Sequence, residues 1–242
     1  MPRRARHYLA GMPYHIVQRG NNRQRCFMKE ADYEFYLELW RVHAHFYDVH
    51  VHAFCLMTNH VHFLLTPQRE DGISCVTRVV GSSYAGYINK KYERTGTLWE
   101  GRHHASLVQT RRYFLTCQRY IELNPVRASM VRSAGQYRWS SYRENALGVS
   151  GWMQPHAEFL ALGKSDTSRR EAYIRLFAKP VNRHQLTLIR HAAHSCQPVA
   201  DNRYKKLLKQ KYGVEIGRLR PGQPRKKNGD GEKKKNGDGG NT

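Results

Sequence analysis

The stretch Cys55-Leu56-Met57-Thr58-Asn59-His60-Val61-His62-Phe63-Leu64-Leu65 alternates two imidazoles with apolar residues at period two. On a strand, His60 and His62 share one face, while Val61, Phe63 and Leu65 point to the other. Two neutral imidazoles on one side of a sheet, with core on the reverse, make a preformed half of a metal site. The sheet fixes their spacing before any ion arrives. With a nucleophile and a third ligand nearby, that arrangement suits metal-assisted attack on a phosphodiester.

Working outward, Thr58-Asn59 joins this strand (60–66) to an earlier one (49–57), which predicts a hairpin. Before it, residues 13–19 read as a strand, Gly20-Asn21-Asn22 as a turn and 31–48 as a helix with aromatic residues at three/four spacings. After it come a helix over 73–94, a strand over 105–109 and a helix over 111–123 capped by Thr110. That last helix stops before Asn124-Pro125, because the residue preceding proline disfavours helical geometry. The order β-α-β-β-α-β-α predicts an α+β fold: a ferredoxin-like antiparallel sheet with helices packed on its faces. Residues 1–148 form this domain. Residues 149–220 read as a basic helical extension, with helices near 168–178, 183–194 and 202–212. Residues 221–242 carry two copies of Lys-Lys-Asn-Gly-Asp-Gly and too few apolar residues to fold, so a disordered Lys/Gly-rich tail is expected there.

The net charge of +22, from 41 Lys+Arg against 19 Asp+Glu, points to a polyanion as partner. The tail holds six Lys/Arg and three Asp/Glu, which leaves +19 on the rest, so the charge belongs to the folded body. No apolar run approaches the roughly 20 residues a membrane span requires, and no signal-peptide core follows the basic start. A membrane is therefore the weaker reading of the charge. The five cysteines, 26, 55, 75, 117 and 196, are odd in number and contain no Cys-x-x-Cys pair. They suit reduced thiols in a cytoplasmic protein better than a disulfide or zinc-finger framework.

On a helical wheel of about 100° per residue, Tyr113, Cys117, Tyr120 and Asn124 fall within about 60° of one another. Tyr120 and Asn124, four apart, reach the same spot. A tyrosine hydroxyl serves as nucleophile when a metal polarises the phosphate it attacks. An amide oxygen from Asn124 is hard enough for Mg²⁺ or Mn²⁺ beside two imidazoles. The residues alone leave alternatives open. His50-Val51-His52 has the same form as His60-Val61-His62, Tyr113 lies two turns before Tyr120 on the same face, and Asn124 has an ordinary role as a helix-end residue before proline. Cys117 suits packing. Glu122 points away from Tyr120 and is no base for it; no general base is evident.

Three stretches now carry a resemblance: Cys55–Leu65, then Gly96-Thr97-Leu98-Trp99-Glu100-Gly101-Arg102, then Arg119-Tyr120-Ile121-Glu122-Leu123-Asn124-Pro125-Val126-Arg127-Ala128. Together, and in this order over roughly residues 7–145, they resemble the REP-associated tyrosine transposases, a branch of the single-tyrosine, His-hydrophobic-His (HUH) transposase family. The resemblance implies that His60 and His62 are the metal-binding pair, Tyr120 the catalytic nucleophile and Asn124 the polar ligand four residues later. It implies metal-dependent cleavage of single-stranded DNA to a 5′-phosphotyrosine and a free 3′-hydroxyl, reversible as strand joining, on hairpin-forming repeats of a bacterial chromosome. It also implies the ferredoxin-like fold.

For the DNA path we expect Lys90, Lys91, Arg94, Arg102, Arg111, Arg112 and Arg119. The partner expected is single-stranded or hairpin DNA and no membrane, with the chain monomeric or homodimeric and nucleoid-associated. The competing reading is a non-catalytic single-stranded nucleic-acid-binding protein of the same sheet topology, which would bind in a salt-sensitive way and form no covalent adduct.

Overall fold

Four strands form, the first three buried along nearly their whole length because both faces of the sheet are covered: β1 (Tyr14–Arg19), β2 (Val49–Leu56), β3 (His60–Pro67) and β4 (His104–Leu107). They form one antiparallel sheet in the order β2-β3-β1-β4. Between them run α1 (Glu30–Phe46) and α2 (Gly72–Lys91), which gives the β-α-β-β-α-β order and strand arrangement of a ferredoxin-like fold. The computed structural model describes residues 8–212. The expected tail at 221–242, and the last residues of the expected extension, lie outside the described residues.

The two faces of the sheet bury different things. On one, Tyr14 and Ile16 of β1, Val61, Phe63 and Leu65 of β3, and Phe54 and Leu56 of β2 meet α1 and α2. Tyr33, Tyr36, Trp40 and Ala44 recur every three or four residues on α1, and Val76, Val80, Tyr84 and Ile88 do the same on α2, so each helix turns one apolar stripe to the sheet. Trp40 stacks on Phe63 with ring centroids 4.0 Å apart. Burying a side chain of this size contributes about 2–3 kcal/mol.

The other face carries α3 (Thr110–Glu122). It crosses β2 and β3 where Ala53, Cys55 and Leu64 present short side chains, and it packs Tyr113, Phe114, Cys117, Tyr120 and Ile121 against them. Thr110 is the first residue of this helix rather than its cap; Gln109 stands before it without a side-chain bond to the helix end. The chain does not leave helical geometry for long at the proline: α4 (Asn124–Arg127) follows after Leu123, with Pro125 in its first turn, where a missing N–H costs nothing.

Beyond it lie α5 (Tyr142–Leu147), α6 (Ala157–Leu160), α7 (Asp166–Phe177), α8 (Arg183–Ser195) and α9 (Asn202–Tyr212). The expected pieces at 168–178, 183–194 and 202–212 correspond to α7, α8 and α9. This part of the chain packs back on the sheet domain. Ser106 Oγ donates to Ala192 O at 2.7 Å, and Val199 N donates to Leu107 O at 2.7 Å. Ile189 and Ala192 of α8 join the core beneath α3.

Candidate active site

Register decides which side chains meet. In the β1–β3 pairing, Val17 stands opposite His62 and His15 opposite Leu64, so His15, His60 and His62 all project from the face that carries α3. His62 is buried at 4% exposure, and its Nδ1 lies 2.9 Å from His15 Nε2. His60 donates from Nδ1 to Asn59 Oδ1 at 2.6 Å, and Asn59 is itself oriented by a bond from its Nδ2 to Arg23 O. That contact makes Nδ1 the protonated nitrogen of His60 and leaves a lone pair on Nε2. Burial, then the Arg19 charge, lowers the His60 pKa to about 4; burial first, then the neighbouring His60 and His15 rings and the Arg127 and Arg19 charges, hold His62 well below its ordinary value. Both rings are therefore neutral donors at pH 7.

The turn that starts this strand is fixed from two sides. Gly20 donates its N–H to Asn59 O at 2.9 Å, and a Cβ there would stand 2.4 Å from Gln24 O, so only glycine lets the turn close. Asn21 N donates to Leu98 O and Glu100 N to Arg19 O, which latches the stretch 96–102 alongside the end of β1. Leu98 and Trp99 of that stretch are core residues, and Trp99 Nε1 donates to Gly81 O. The second motif thus braces the end of the sheet where His60 sits.

Tyr120 comes to the histidines from α3. Its ring stands edge-on to His62, with centroids 6.1 Å apart, and edge-on to His15 at 5.9 Å. Tyr113, two turns earlier on the same helix, is buried in the same core beneath the Arg112 guanidinium. The second His-x-His pair is committed elsewhere. His52 Nδ1 bonds Gln154 O at 2.6 Å and its Nε2 bonds Thr66 Oγ1 at 2.8 Å, while exposed His50 lies 3.3 Å from Gln68 Nε2. Asn124 follows Tyr120 by one turn. Its Nδ2 donates to Ile121 O at 3.1 Å and its Oδ1 accepts from Arg127 Nη2 at 2.7 Å, so this amide is engaged by its own turn. Glu122, expected to point away, does so: it is buried and accepts bonds from Ser141 Oγ, Asn145 Nδ2 and Tyr173 OH.

Two neighbours of the site were not anticipated from sequence. His15 is fully buried against His62, and its other nitrogen, Nδ1, has no partner. Arg127 lies over the Tyr120 ring at 4.1 Å and donates to Tyr120 O at 2.6 Å. A spacing of seven residues from Tyr120, two helical turns, was the available signal for Arg127. For His15 it was the alternation of β1, in which His15 and Val17 share a face.

Residues 8–124 match the family described as IS200-like transposases. These residues form an IS200-like transposase domain. The fold of this transposase domain is also that of a REP-associated tyrosine transposase solved with a REP hairpin, at 15% identity, covering 64% of this chain and 92% of that one with a TM-score of 0.52. A second solved structure, assigned as a transposase from Deinococcus radiodurans, is 21% identical, covers 50% of this chain and 96% of its own, and has a TM-score of 0.35. No curated protein matches the chain.

The donor set of the transposase domain fits a divalent cation in part. Nε2 of His60 and of His62 makes no hydrogen bond to the described residues, and both imidazoles are neutral. His15 stands behind His62 as the group that orients a ligating ring. Among the described residues, no three His, Cys, Asp or Glu side chains converge on a common site, so the two imidazoles make up only part of a ligand set.

Of the basic residues expected on the DNA path, Lys90, Arg102, Arg111 and Arg112 are exposed. Arg112 lies 3.4 Å from Asp201. Lys91 is ion-paired with buried Asp32 at 2.7 Å, and Arg94 donates to Gln24 Oε1 at 2.9 Å. Arg119 donates to Lys179 O and lies over Phe177. Among the described residues, no helix is long and apolar enough to cross a membrane.

Proposed function

We propose that this chain is a metal-dependent single-strand DNA endonuclease and strand transferase acting on hairpin-forming repeat DNA through a 5′-phosphotyrosine at Tyr120. The observation that carries the reading is the meeting of Tyr120 with His62 and His15 across the sheet face. The family match supports transposase chemistry, and the hairpin in the solved REP-associated protein supports the substrate class. His60 and His62, through Nε2, and the Asn124 amide oxygen, once released from Arg127, would hold Mg²⁺ or Mn²⁺. The cation supplies Lewis-acid polarisation of the scissile phosphate.

The chain's own residues do the rest. Asn59 fixes the tautomer of His60 and His15 holds the His62 ring in place, so neither ring has to swing when a ligand arrives. In this reading Tyr120, carried by α3 to the His62 and His15 rings, attacks in line with the departing 3′ oxygen. Both termini of the reaction stay attached, one as phosphotyrosine and one as the paired hairpin, which makes rejoining possible. Lys90, Lys91, Arg94, Arg102, Arg111, Arg112 and Arg119 stand as the proposed DNA contacts, led by the exposed Lys90, Arg102 and Arg111.

The test uses hairpin oligonucleotides with randomised single-stranded flanks, labelled at either end, with Mn²⁺ or Mg²⁺, on a denaturing gel. A protein–DNA adduct that retains the 3′ label, and is lost in Tyr120→Phe while hairpin binding persists, is the expected result. Tight salt-dependent binding with no adduct would leave a non-catalytic nucleic-acid reader instead.

A further inference from the structure

Arg127 is half-buried in the angle between α3 and α4, and its fork is only partly used. Nη2 donates to both Tyr120 O and Asn124 Oδ1, and the guanidinium plane covers the Tyr120 ring at 4.1 Å. Nη1 is sealed from solvent and has no hydrogen-bond partner. Arg127 makes no ion pair with any described carboxylate; the nearest acid along the helix, Glu122, spends both oxygens on Ser141, Asn145 and Tyr173. Arg127 is also one of the charges felt by His15 and His62.

A guanidinium over a tyrosine ring, with no carboxylate paired to it among the described residues, forms a site short of an anion. An unpaired N–H of a buried cation is costly to leave unmade, and a phosphate oxygen is the acceptor that a guanidinium fork matches best. We propose that Arg127 clamps the non-bridging oxygens of the phosphate that Tyr120 attacks. The clamp rests on the reading of Tyr120 as nucleophile. In the step, the Tyr120 Oη–P bond forms as the P–O3′ bond breaks; the phenolic proton passes to water, and the departing 3′ oxygen takes a proton from water. Arg127 stays protonated throughout and meets the charge that builds on the non-bridging oxygens.

The experiment is a coupling measurement on the full-length chain. A hairpin recovered as an adduct from the randomised pool is synthesised with its cleaved phosphate intact or replaced by an uncharged methylphosphonate. Binding of both DNAs is measured in Mn²⁺ in the Tyr120→Phe background, with Arg127 or Arg127→Ala. Losing the clamp should weaken binding of the phosphate hairpin about tenfold or more, with little change on the methylphosphonate hairpin. In the Tyr120 protein, Arg127→Ala should slow adduct formation about 100-fold. Should Arg127→Ala unfold, Arg127→Lys carries the same comparison, because lysine keeps the charge and loses the fork. Equal losses on the two DNAs overturn the clamp and leave Arg127 a structural residue. A wild-type chain that yields no Tyr120-dependent adduct overturns the nucleophile reading, and the clamp with it.

Discussion

His50-Val51-His52 and His60-Val61-His62 are the same tripeptide on neighbouring strands, yet only in the second do both rings keep Nε2 free of hydrogen bonds to the described residues. The difference begins in the backbone. Val51 pairs with Leu65 and Ala53 with Leu64, so a bulge at His52 breaks the alternation of the edge strand β2. The rings of His50 and His52 end 6.4 Å apart, against 5.0 Å for His60 and His62. Residues 154–156 then close over His52: Gln154 O takes its Nδ1, and His156 stacks on Phe114 beside it. The β3 pair lies on an interior strand, backed by His15 and faced by Tyr120. A His-x-His motif becomes a candidate metal site through what the rest of the fold leaves unbonded.

Substitutions can break this contrast, and the largest effect falls on β3. His62→Ala should abolish Mn²⁺ binding and cleavage together, whereas His52→Ala should keep Mn²⁺ stoichiometry and lose about 2 kcal/mol of stability with its two buried hydrogen bonds. Calorimetric Mn²⁺ titration with thermal unfolding separates them; the reverse outcome would exchange the roles of the two pairs. His15→Leu should lower Mn²⁺ affinity about 10–100-fold by freeing the His62 ring, and His15→Gln, whose amide reaches the Nε2 position, should restore part of it.

The next effect lies away from the histidines. Burial, against the bonds from Ser141, Asn145 and Tyr173, raises the Glu122 pKa to about 7. Between the ordinary carboxyl range and that value, the folded chain holds a proton that the unfolded chain has lost, so stability falls as pH rises through this window. Glu122→Gln should remove a loss of the order of 2–3 kcal/mol between pH 5 and 8, seen as a flat melting temperature against pH. A slope unchanged in the variant would assign the pH dependence to other groups. Smallest of all, His50→Ala on the exposed edge should shift stability by no more than about 0.5 kcal/mol and leave Mn²⁺ binding alone.

Much of the architecture was legible because long elements announce themselves by period. The strand at 13–19, the hairpin at 49–66, the helices at 31–48, 73–94 and 111–123, and the late helices all correspond to observed elements within a few residues. The short helices α4, α5 and α6 went unread, since four to six residues complete too little of a helical stripe to show one. In the site, α3 brings Tyr120 edge-on to His62 on the sheet face that also carries His60. The hold of Arg127 on Asn124, the backing by His15 and the bulge that sets His52 apart had no counterpart in the sequence reading.

What the sequence by itself determined is local. Side-chain alternation put His60 and His62 on one face, a spacing of four put Asn124 one helical turn beyond Tyr120, and the excess of Lys and Arg made a polyanion the expected partner. What only the tertiary structure decided is long-range. The contact of His15 with His62 spans 47 residues, and that of His52 with Gln154 spans 102. Such pairings depend on strand register, on a one-residue bulge and on how the C-terminal helices fold back. No periodicity within a single segment encodes them, because a shift of one residue in register sends every side chain to the opposite face.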